Sequence, residues 1–422
     1  MNSLKLDRII YFLAIFSISF IIFFMRRPDI ITNAQFWAED GAIWYHQANI
    51  LGPLQSLILP QQGYYQSISK LVASLSLLLP IYYAPLFFNI IGIAVRCWVV
   101  MFLLSKRLDM YRLPARFMIA AFVLFMPHLE EVHANITNAH WYLSMLLFMV
   151  LIARKPTTLP GKVHDVIALV VAGFSGPFIV FMVPLLALKL VCNAKGEGII
   201  DKVFSAIKKI DWFSCLFVLF ALIQVMTILL SFDDSRIHTE LGATFQLLIN
   251  ILSTRVFAGF ALSDLSILEL WKMDLINDLI VVISVSIIGF VLYRSDWRTW
   301  AIIIYPFTML FLALARPMIS TEIPQWHSFE YPGSGQRYFV ITGVFWFSIL
   351  ALAASKFTKP LRYLSYIVLL VVIVKVAAYD FNIQPLPDSN WNEQVQRYNN
   401  SKVGDKVIME INPTGWVMEI VK

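Results

Sequence analysis

Long apolar runs separated by short polar segments fill most of the 422-residue chain. A helix of about 20 apolar residues is long enough to cross the hydrocarbon core of a bilayer. The pattern therefore predicts an all-α polytopic membrane protein with about eleven transmembrane helices. The predicted spans are Ile9–Met25, Tyr83–Leu104, Phe117–His133, His140–Ala153, His164–Gly176, Pro177–Val191, Trp212–Phe232, Asp278–Tyr293, Thr299–Ala315, Tyr338–Ser355 and Leu361–Tyr379.

Several of these runs are shorter than a straight crossing requires. Two short pairs meet at polar or Pro/Gly breaks, between Pro127 and His140 and at Ser175-Gly176-Pro177. These breaks favour half-depth helices that turn inside the protein, where the broken backbone is shielded from lipid. The first run resembles a signal peptide, but Arg26-Arg27-Pro28 stands where a small-residue cleavage site belongs. We interpret it as an uncleaved first span.

Composition supports a membrane protein and excludes other classes. Apolar residues make up 59% of the chain and charged residues 14%, whereas soluble domains are about half apolar and a quarter charged. The net charge of +6 does not indicate nucleic-acid binding, because the basic residues interrupt apolar runs instead of forming a patch. Cys97, Cys192 and Cys215 lie in or beside apolar runs, so they predict neither a disulfide framework nor a metal site.

Basic residues predict the orientation, because cytoplasmic loops of membrane proteins are rich in Lys and Arg. With the N-terminus in the cytoplasm, nineteen of the 33 Lys and Arg residues lie in short cytoplasmic segments. Twenty of the 27 acidic residues lie on the opposite side. The prediction is a cytoplasmic N-terminus and an extracytoplasmic C-terminus.

The long polar segments are predicted to lie outside. Residues 1–379 form the transmembrane unit, with exterior loops at 26–82, 233–277 and 316–337. Residues 380–422 form an exterior tail, with a short helix around Trp391–Tyr398. Alternating residues on either side of the turn Asn412–Gly415 predict a β-hairpin in the same tail.

The most informative motif lies in the first exterior loop, within the stretch from Gln35 to His46. It places two adjacent carboxylates, Glu39 and Asp40, among aromatic residues that anchor a loop at the membrane surface. A partly desolvated carboxylate there is suited to remove a proton from an acceptor hydroxyl, because burial raises its pKa. The alternative is an ordinary acidic loop with an interfacial aromatic belt.

Phe-Trp-Ala-Glu39-Asp40-Gly, directly after the first span, resembles the acidic first-loop motif of GT-C glycosyltransferases. More narrowly, the chain is similar to bacterial serotype-converting O-antigen glucosyltransferases. Four further stretches agree with this resemblance, which covers most of the N-terminal half and part of the tail. They are Gly63-Tyr64-Tyr65-Gln66, Asn135–Tyr142, Gly173–Phe178 and Asn412–Trp416.

The resemblance implies inverting transfer of a hexose, with glucose expected, from a polyprenyl-phosphate donor to a glycan such as the O-antigen. The reaction is expected at the periplasmic face of the bacterial inner membrane, without a metal or other cofactor. One carboxylate of the pair is expected to be the general base and the other to position it. Asp40 is the favoured base.

Arginines on the same side are candidates for holding the donor phosphate, because the planar guanidinium donates paired hydrogen bonds. Arg316 ends one predicted span and Arg337 begins the next. The alternative is that both are boundary arginines that reach lipid headgroups. Arg96, in the middle of a span, is expected either to line the phosphate cavity or to satisfy backbone carbonyls at a helix break.

Other polar residues are candidates for substrate binding. His327 and Glu330 share the loop between the two arginines, and the remaining candidates lie at the break after Pro127. That break includes His128-Leu-Glu-Glu-Val-His133, but the order differs from the His-Glu-x-x-His of zinc proteases, so we expect no metal. The candidates at the break are Asn135, Asn138, His140 and Trp141.

A lipid-linked glycan flippase or a transporter is the main alternative function. Ion-coupled transporters carry carboxylates at mid-membrane and internal repeats. Here every Asp and Glu lies in a loop or at a span end, and no half of the chain is duplicated. An O-antigen ligase or polymerase is disfavoured, since those enzymes usually rely on one large arginine-bearing late loop.

Overall fold

The computed structural model describes residues 3–231 and 239–422. The protein is an all-α polytopic membrane protein, and each of the eleven apolar runs overlaps a helix, although the run Phe117–His133 is helical only as far as Phe125. The start of the predicted exterior loop at 233–277, residues 233–238, lies outside the described residues.

The helices of the N-terminal half are separated by short turns. In chain order they are α1 (Ser3–Arg26), α2 (Asp29–Thr32), α3 (His46–Leu51), α4 (Pro53–Ile58), α5 (Ser67–Ser76), α6 (Ala84–Leu103), α7 (Leu113–Phe125), α8 (Ala139–Ile152), α9 (Leu159–Gly173), α10 (Phe178–Cys192), α11 (Ile199–Ile207) and α12 (Trp212–Leu230).

The C-terminal half adds seven helices and one hairpin. They are α13 (Phe245–Ile251), α14 (Asp264–Trp271), α15 (Asp274–Leu292), α16 (Trp297–Ala315), α17 (Val340–Lys356), α18 (Lys359–Asp380) and α19 (Trp391–Asn400), followed by strands β1 (Lys406–Ile411) and β2 (Trp416–Val421). Shorter π-helical turns precede α3, at Asp40–Tyr45, and follow α13, at Leu252–Phe257.

Seven helices of the described chain are long and apolar enough to cross a membrane. Helices α7, α8 and α10 are apolar but have only 13 to 15 residues. At 1.5 Å per residue such helices span about 20 Å, less than the bilayer core. Every residue of α8 is buried, as expected for a helix that is apolar on all sides.

Contacts sort the loops into two ends of the bundle. At one end, which we call the short-loop end, Arg107 pairs with Asp165 at 2.6 Å and Arg154 pairs with Asp109. The first loop, the turn after α7 and the tail meet at the other end, which we call the long-loop end. This grouping matches the alternation of spans that the sequence predicts.

The tail folds back onto the first loop. Strands β1 and β2 pair antiparallel, with Lys406 opposite Val421 and Ile411 opposite Trp416. Strand β2 packs against the π-helical turn Asp40–Tyr45 and α3. The tail thus supports the segment that carries the acid pair.

Candidate functional site

Two buried arginines at the end of α1 fix the start of the first loop. Arg26 is fully buried and donates to the carbonyls of Leu124, Asp380 and Phe381. Arg27 donates to the carbonyl of Glu130 at 3.2 Å and to that of Gln384. The end of α1 is therefore joined to the turn after α7 and to the tail.

Asn412 in the hairpin turn holds the residues just before the acid pair. Its backbone N–H donates to the carbonyl of Phe36 at 3.1 Å, and its carbonyl accepts from the N–H of Ala38. Its side-chain amide donates to Gln35 in the same loop at 3.2 Å. The segment directly before Glu39 and Asp40 is thus held by hydrogen bonds to Asn412.

Asp40 is held within the protein and has only 1% of its surface exposed. Its Oδ1 accepts from the N–H of Thr137 at 2.8 Å and from the Thr137 hydroxyl at 2.6 Å. Its Oδ2 accepts from the N–H of Ile136 at 3.0 Å. Burial raises the pKa of Asp40 to about 7, although these hydrogen bonds act in the opposite direction.

Glu39 has different surroundings from its neighbour. It is half-buried, and its carboxylate forms no side-chain hydrogen bond or ion pair with another residue in the described chain. Burial raises the pKa of Glu39, the charge of Arg337 lowers it and the charge of Glu131 raises it further. Glu39 is therefore the accessible carboxylate of the pair, and it lies within electrostatic reach of the candidate arginine.

The turn between α7 and α8, residues 126–138, carries Ile136 and Thr137, which donate to Asp40. It also carries Glu131, which contacts Arg337. It packs closely on α6, where a Cβ added at Gly92 would lie 1.8 Å from the carbonyl oxygen of Ala134. Arg96, one helical turn later, donates to the carbonyls of Val132 and Asn135. The guanidinium of Arg96 is fully buried. Of the two roles that the sequence left open for Arg96, this geometry corresponds to satisfying backbone carbonyls at a helix break.

Arg337 is paired with Glu131. Its Nη1 contacts a carboxylate oxygen of Glu131, and its Nη2 donates to the carbonyl of Met318. The Arg337 side chain keeps 29% exposure, and its guanidinium lies 4.9 Å from the ring of Tyr338. A partly exposed arginine with an acidic partner is able to exchange that partner for another anion.

Gln336 fixes the turn after α7 from the same loop as Arg337. Its side-chain oxygen accepts from the N–H of Glu131 at 2.9 Å, and its amide donates to the carboxylate of Glu130. The loop with Arg337 and the turn that supports Asp40 are therefore joined directly.

Arg255 is a structural residue that sequence reasoning missed. It lies in the π-helical turn Leu252–Phe257, inside the predicted exterior loop 233–277, and is 8% exposed. Its guanidinium lies 4.6 Å from the ring of Phe339 and orders the loop that carries Arg337. A lone arginine in an apolar stretch is the signal that points to it, as it points to Arg96. Arg255 donates to the carbonyls of Phe329, Tyr331, Pro332 and Ser334.

Aromatic rings line the start of α8 next to Arg337. The ring of Trp141 lies 6.0 Å from that of Tyr338 and 4.9 Å from that of Phe178, and His140 stacks on Phe178 at 5.4 Å. Trp141 is 8% exposed, and its indole N–H is buried without a hydrogen-bond partner. A buried donor without a partner is uncommon, and a ligand oxygen would satisfy it.

The two asparagines predicted to bind substrate shape the turn itself. Asn135 donates to the carbonyl of Glu131 at 2.7 Å, and Asn138 donates to the same carbonyl at 3.3 Å. Both are 3% exposed. The structure thus brings them to the site, with their amides directed to the backbone that presents Glu131.

The remaining predicted site residues are Arg316, a candidate for the donor phosphate, and His327 and Glu330, candidates for substrate binding. Arg316 is exposed at the end of α16, and His327 is exposed beside the segment that contains Gly242. Glu330 is half-buried in a short 3-10 turn. Among the described residues, neither His327 nor Glu330 forms a hydrogen bond or an ion pair with the acid pair.

The histidines that suggested a metal have protein partners. His128 Nδ1 lies 2.8 Å from a carboxylate oxygen of Asp264, and His133 Nε2 lies 3.0 Å from the carbonyl oxygen of Phe23. In residues 3–231 and 239–422, no three His, Cys, Asp or Glu side chains are grouped as they would be around a metal ion.

Comparison with known proteins shows a distant similarity to solved structures. No protein-family model matches the chain, and no curated protein sequence matches it. The chain is similar to the archaeal oligosaccharyltransferase AglB from Archaeoglobus fulgidus, solved in complex with an inhibitory peptide and a dolichol-phosphate, with 11% identity and a TM-score of 0.43. The match covers 93% of this chain, which spans only 58% of the length of that protein. So distant a similarity does not identify the reaction or the ligands of this chain.

Proposed function

We propose that the chain is a glycosyltransferase that moves a hexose from a polyprenyl-phosphate donor to a glycan acceptor. Glucose is the proposed sugar, and the O-antigen the proposed acceptor. One observation carries the proposal: a half-buried carboxylate, Glu39, lies within electrostatic reach of the partly exposed Arg337 at the long-loop end of a membrane bundle. Glycosyl transfer from a lipid phosphate needs this combination of a base and a cation.

The proposed base is Glu39, in place of Asp40, which the sequence favours. Asp40 uses both oxygens to hold the turn at Ile136 and Thr137 and is almost fully buried. An acceptor hydroxyl needs a free oxygen atom within hydrogen-bond distance. Glu39 offers one, whereas Asp40 would first have to release its backbone partners.

In the proposed reaction, Glu39 removes the proton of the acceptor hydroxyl as its oxygen attacks the anomeric carbon. The bond between that carbon and the phosphate oxygen breaks, and the phosphate leaves with the electron pair. A direct displacement of this kind inverts the anomeric configuration. Arg337 stabilises the negative charge that grows on the leaving phosphate, which would replace Glu131 as its partner.

We expect the donor to bind against the aromatic rings of Trp141 and Tyr338. Their rings lie beside Arg337, and the free indole N–H of Trp141 is available to a sugar or phosphate oxygen. The aromatic rings are supported by His140, which stacks on Phe178. The turn at residues 126–138 is supported by Asn135 and Asn138. The proposed contacts of the donor also include Arg316, His327 and Glu330.

The proposed location is the periplasmic side of a bacterial inner membrane, with the N-terminus in the cytoplasm. The long-loop end would then face the periplasm, where residues 1–379 form the catalytic unit and residues 380–422 its supporting tail. The short-loop end, rich in Lys and Arg, would face the cytoplasm.

Glycan composition tests the proposal in cells. Mass spectrometry of surface glycans would compare cells that lack the protein with cells that produce the wild type or Arg337→Lys at equal level. We expect the wild type to add a hexose. We expect the lysine variant to add much less, because a point charge does not reproduce the paired hydrogen bonds of arginine. Identical glycans in all three strains would refute the proposal.

A further inference from the structure

Helix α11, at the short-loop end, has two chemically distinct faces. The apolar face contains Ile199, Ile200 and Phe204, which are 79%, 72% and 63% exposed. At 100° per residue, Val203 and Ile207 extend the same face. Only Ala206 of the nine helical residues is buried. The apolar face is therefore uncovered by the described chain.

The opposite face is polar, and lysines follow the helix. Lys202 lies on this face with Ser205 and the acidic Asp201, and Lys208 and Lys209 come directly after the last helical residue, Ile207. Lysines flanking an apolar helix face are typical of helices that lie in the interface of an anionic membrane. Lys202, Lys208 and Lys209 together are complementary in charge to anionic headgroups.

The neighbouring elements keep α11 at the membrane surface. It packs against α10, and α12 begins at Trp212, only a few residues after the end of α11. Four intervening residues reach at most about 14 Å when fully extended. Lys155 also pairs with Asp211 at 2.6 Å, which fixes the start of α12 to the loop after α8. Helix α11 is thus held close to the ends of the two flanking spans, α10 and α12.

Length gives a second argument for a lipid partner. Isolated helices shorter than about 12 residues are marginal in water, because nucleation is unfavourable. Helix α11 has nine residues and no side-chain N-cap. Burial of its apolar face in the boundary between headgroups and acyl chains would supply the missing stabilisation.

We propose that α11 is an interfacial helix that binds the anionic lipid surface at the short-loop end of the bundle. Its apolar residues enter the boundary of the acyl chains, and its lysines contact lipid phosphates. This role is independent of the proposed transferase reaction.

Spin-label accessibility in the full-length protein tests this inference. Cys192 and Cys215, which are exposed, are replaced by serine, and a nitroxide is placed at Phe204→Cys or, as the matched control, at Ser205→Cys. The protein is placed in nanodiscs of phosphatidylcholine, with or without phosphatidylglycerol. We expect the label at position 204 to meet oxygen more often than a water-soluble nickel chelate, and the label at 205 to show the reverse.

The contribution of charge is tested by a combined Lys202→Gln, Lys208→Gln and Lys209→Gln variant. Phosphatidylglycerol should move the label at position 204 deeper in the otherwise unchanged protein, and this dependence should be lost in the triple variant. Equal access of the nickel chelate to positions 204 and 205 would overturn the inference and favour a soluble partner for the apolar face. A depth that does not respond to phosphatidylglycerol would overturn the proposed binding of anionic lipid.

Discussion

At the scale of single residues, the two neighbouring carboxylates of the first loop have different tasks. Asp40 accepts three hydrogen bonds from Ile136 and Thr137. Glu39 is half-buried near the charges of Arg337 and Glu131 but forms no hydrogen bond with either. The two residues should therefore respond differently to removal of their charge.

We expect Glu39→Gln to reduce transfer by about 10²–10⁴-fold, the usual contribution of a general base, without lowering the melting temperature. The amide keeps the volume of the side chain and disturbs no hydrogen bond to another residue. Rate and thermal unfolding measured on the same purified sample separate the two effects. A variant with normal activity would remove Glu39 from the reaction.

We expect Asp40→Asn to lower the melting temperature. The new amide would direct N–H groups at the backbone donor of Ile136 or Thr137, and an unsatisfied buried donor costs about 1–3 kcal/mol. Activity should fall because the turn at residues 136–137 moves. An unchanged melting temperature with abolished transfer would reverse the assignment and make Asp40 the base.

The pH dependence of transfer tests the surroundings of Glu39. A base acts in its deprotonated form, so the rate should fall as the pH drops through the pKa of Glu39, which burial raises above its usual range. Glu131 raises this pKa and Arg337 lowers it. Glu131→Gln should therefore move the acid limb to lower pH, because it removes a like charge and releases Arg337. A limb that stays in place would contradict this arrangement.

The sequence placed the acid pair and Arg337 at the same side of the membrane but did not distinguish the roles of Glu39 and Asp40. That distinction depends on Thr137, which is distant in sequence and contacts Asp40 only in the fold. The pairing of Glu131 with Arg337 was missed for the same reason.

At the scale of elements, the turn between α7 and α8 is the part on which the site depends. It lies against Gly92 of α6, and Arg96 holds two of its carbonyls. Displacement of this turn would move the partners of both Asp40 and Arg337.

We expect Gly92→Ala to reduce both transfer and thermal stability, because the added methyl group would meet the carbonyl of Ala134. Gly289→Ala in α15 is the matched control, since a Cβ there has no other atom within 4 Å. Both replacements raise helix propensity, so only the local clash differs. Equal behaviour of the two variants would show that close packing at Gly92 is unimportant.

The sequence predicted helices where apolar runs were long and missed helices in short mixed segments. All eleven predicted spans overlap helices, but residues 126–133 of the predicted span Phe117–His133 belong to the turn after α7. The apolar segment Phe245–Ala261, within the predicted exterior loop 233–277, forms α13 and the π-helical turn with Arg255, and the sequence predicted neither. Ser253, Thr254 and Arg255 interrupt its apolar pattern, and the carbonyl partners of Arg255 lie in the distant loop that contains Phe329.

At the scale of the whole molecule, the separation of short-loop and long-loop ends predicts the membrane topology. A phosphatase fused after Lys422 should be active outside the cytoplasm, and one fused near Lys202 should be inactive. The reason is the concentration of Lys and Arg in the short loops, which are retained in the cytoplasm. The reverse pattern of activities would place the acid pair on the cytoplasmic side.

Transfer by the purified protein is the most direct test of the central claim, that Glu39 acts as a base in sugar transfer from a lipid phosphate. Wild type and Glu39→Gln in detergent would receive radiolabelled undecaprenyl-phosphate glucose and lipopolysaccharide extracted from cells that lack the protein. We predict labelled lipopolysaccharide from the wild type and at least about 10²-fold slower labelling with Glu39→Gln. No labelling by the folded wild type, or equal rates for the two proteins, would contradict the account.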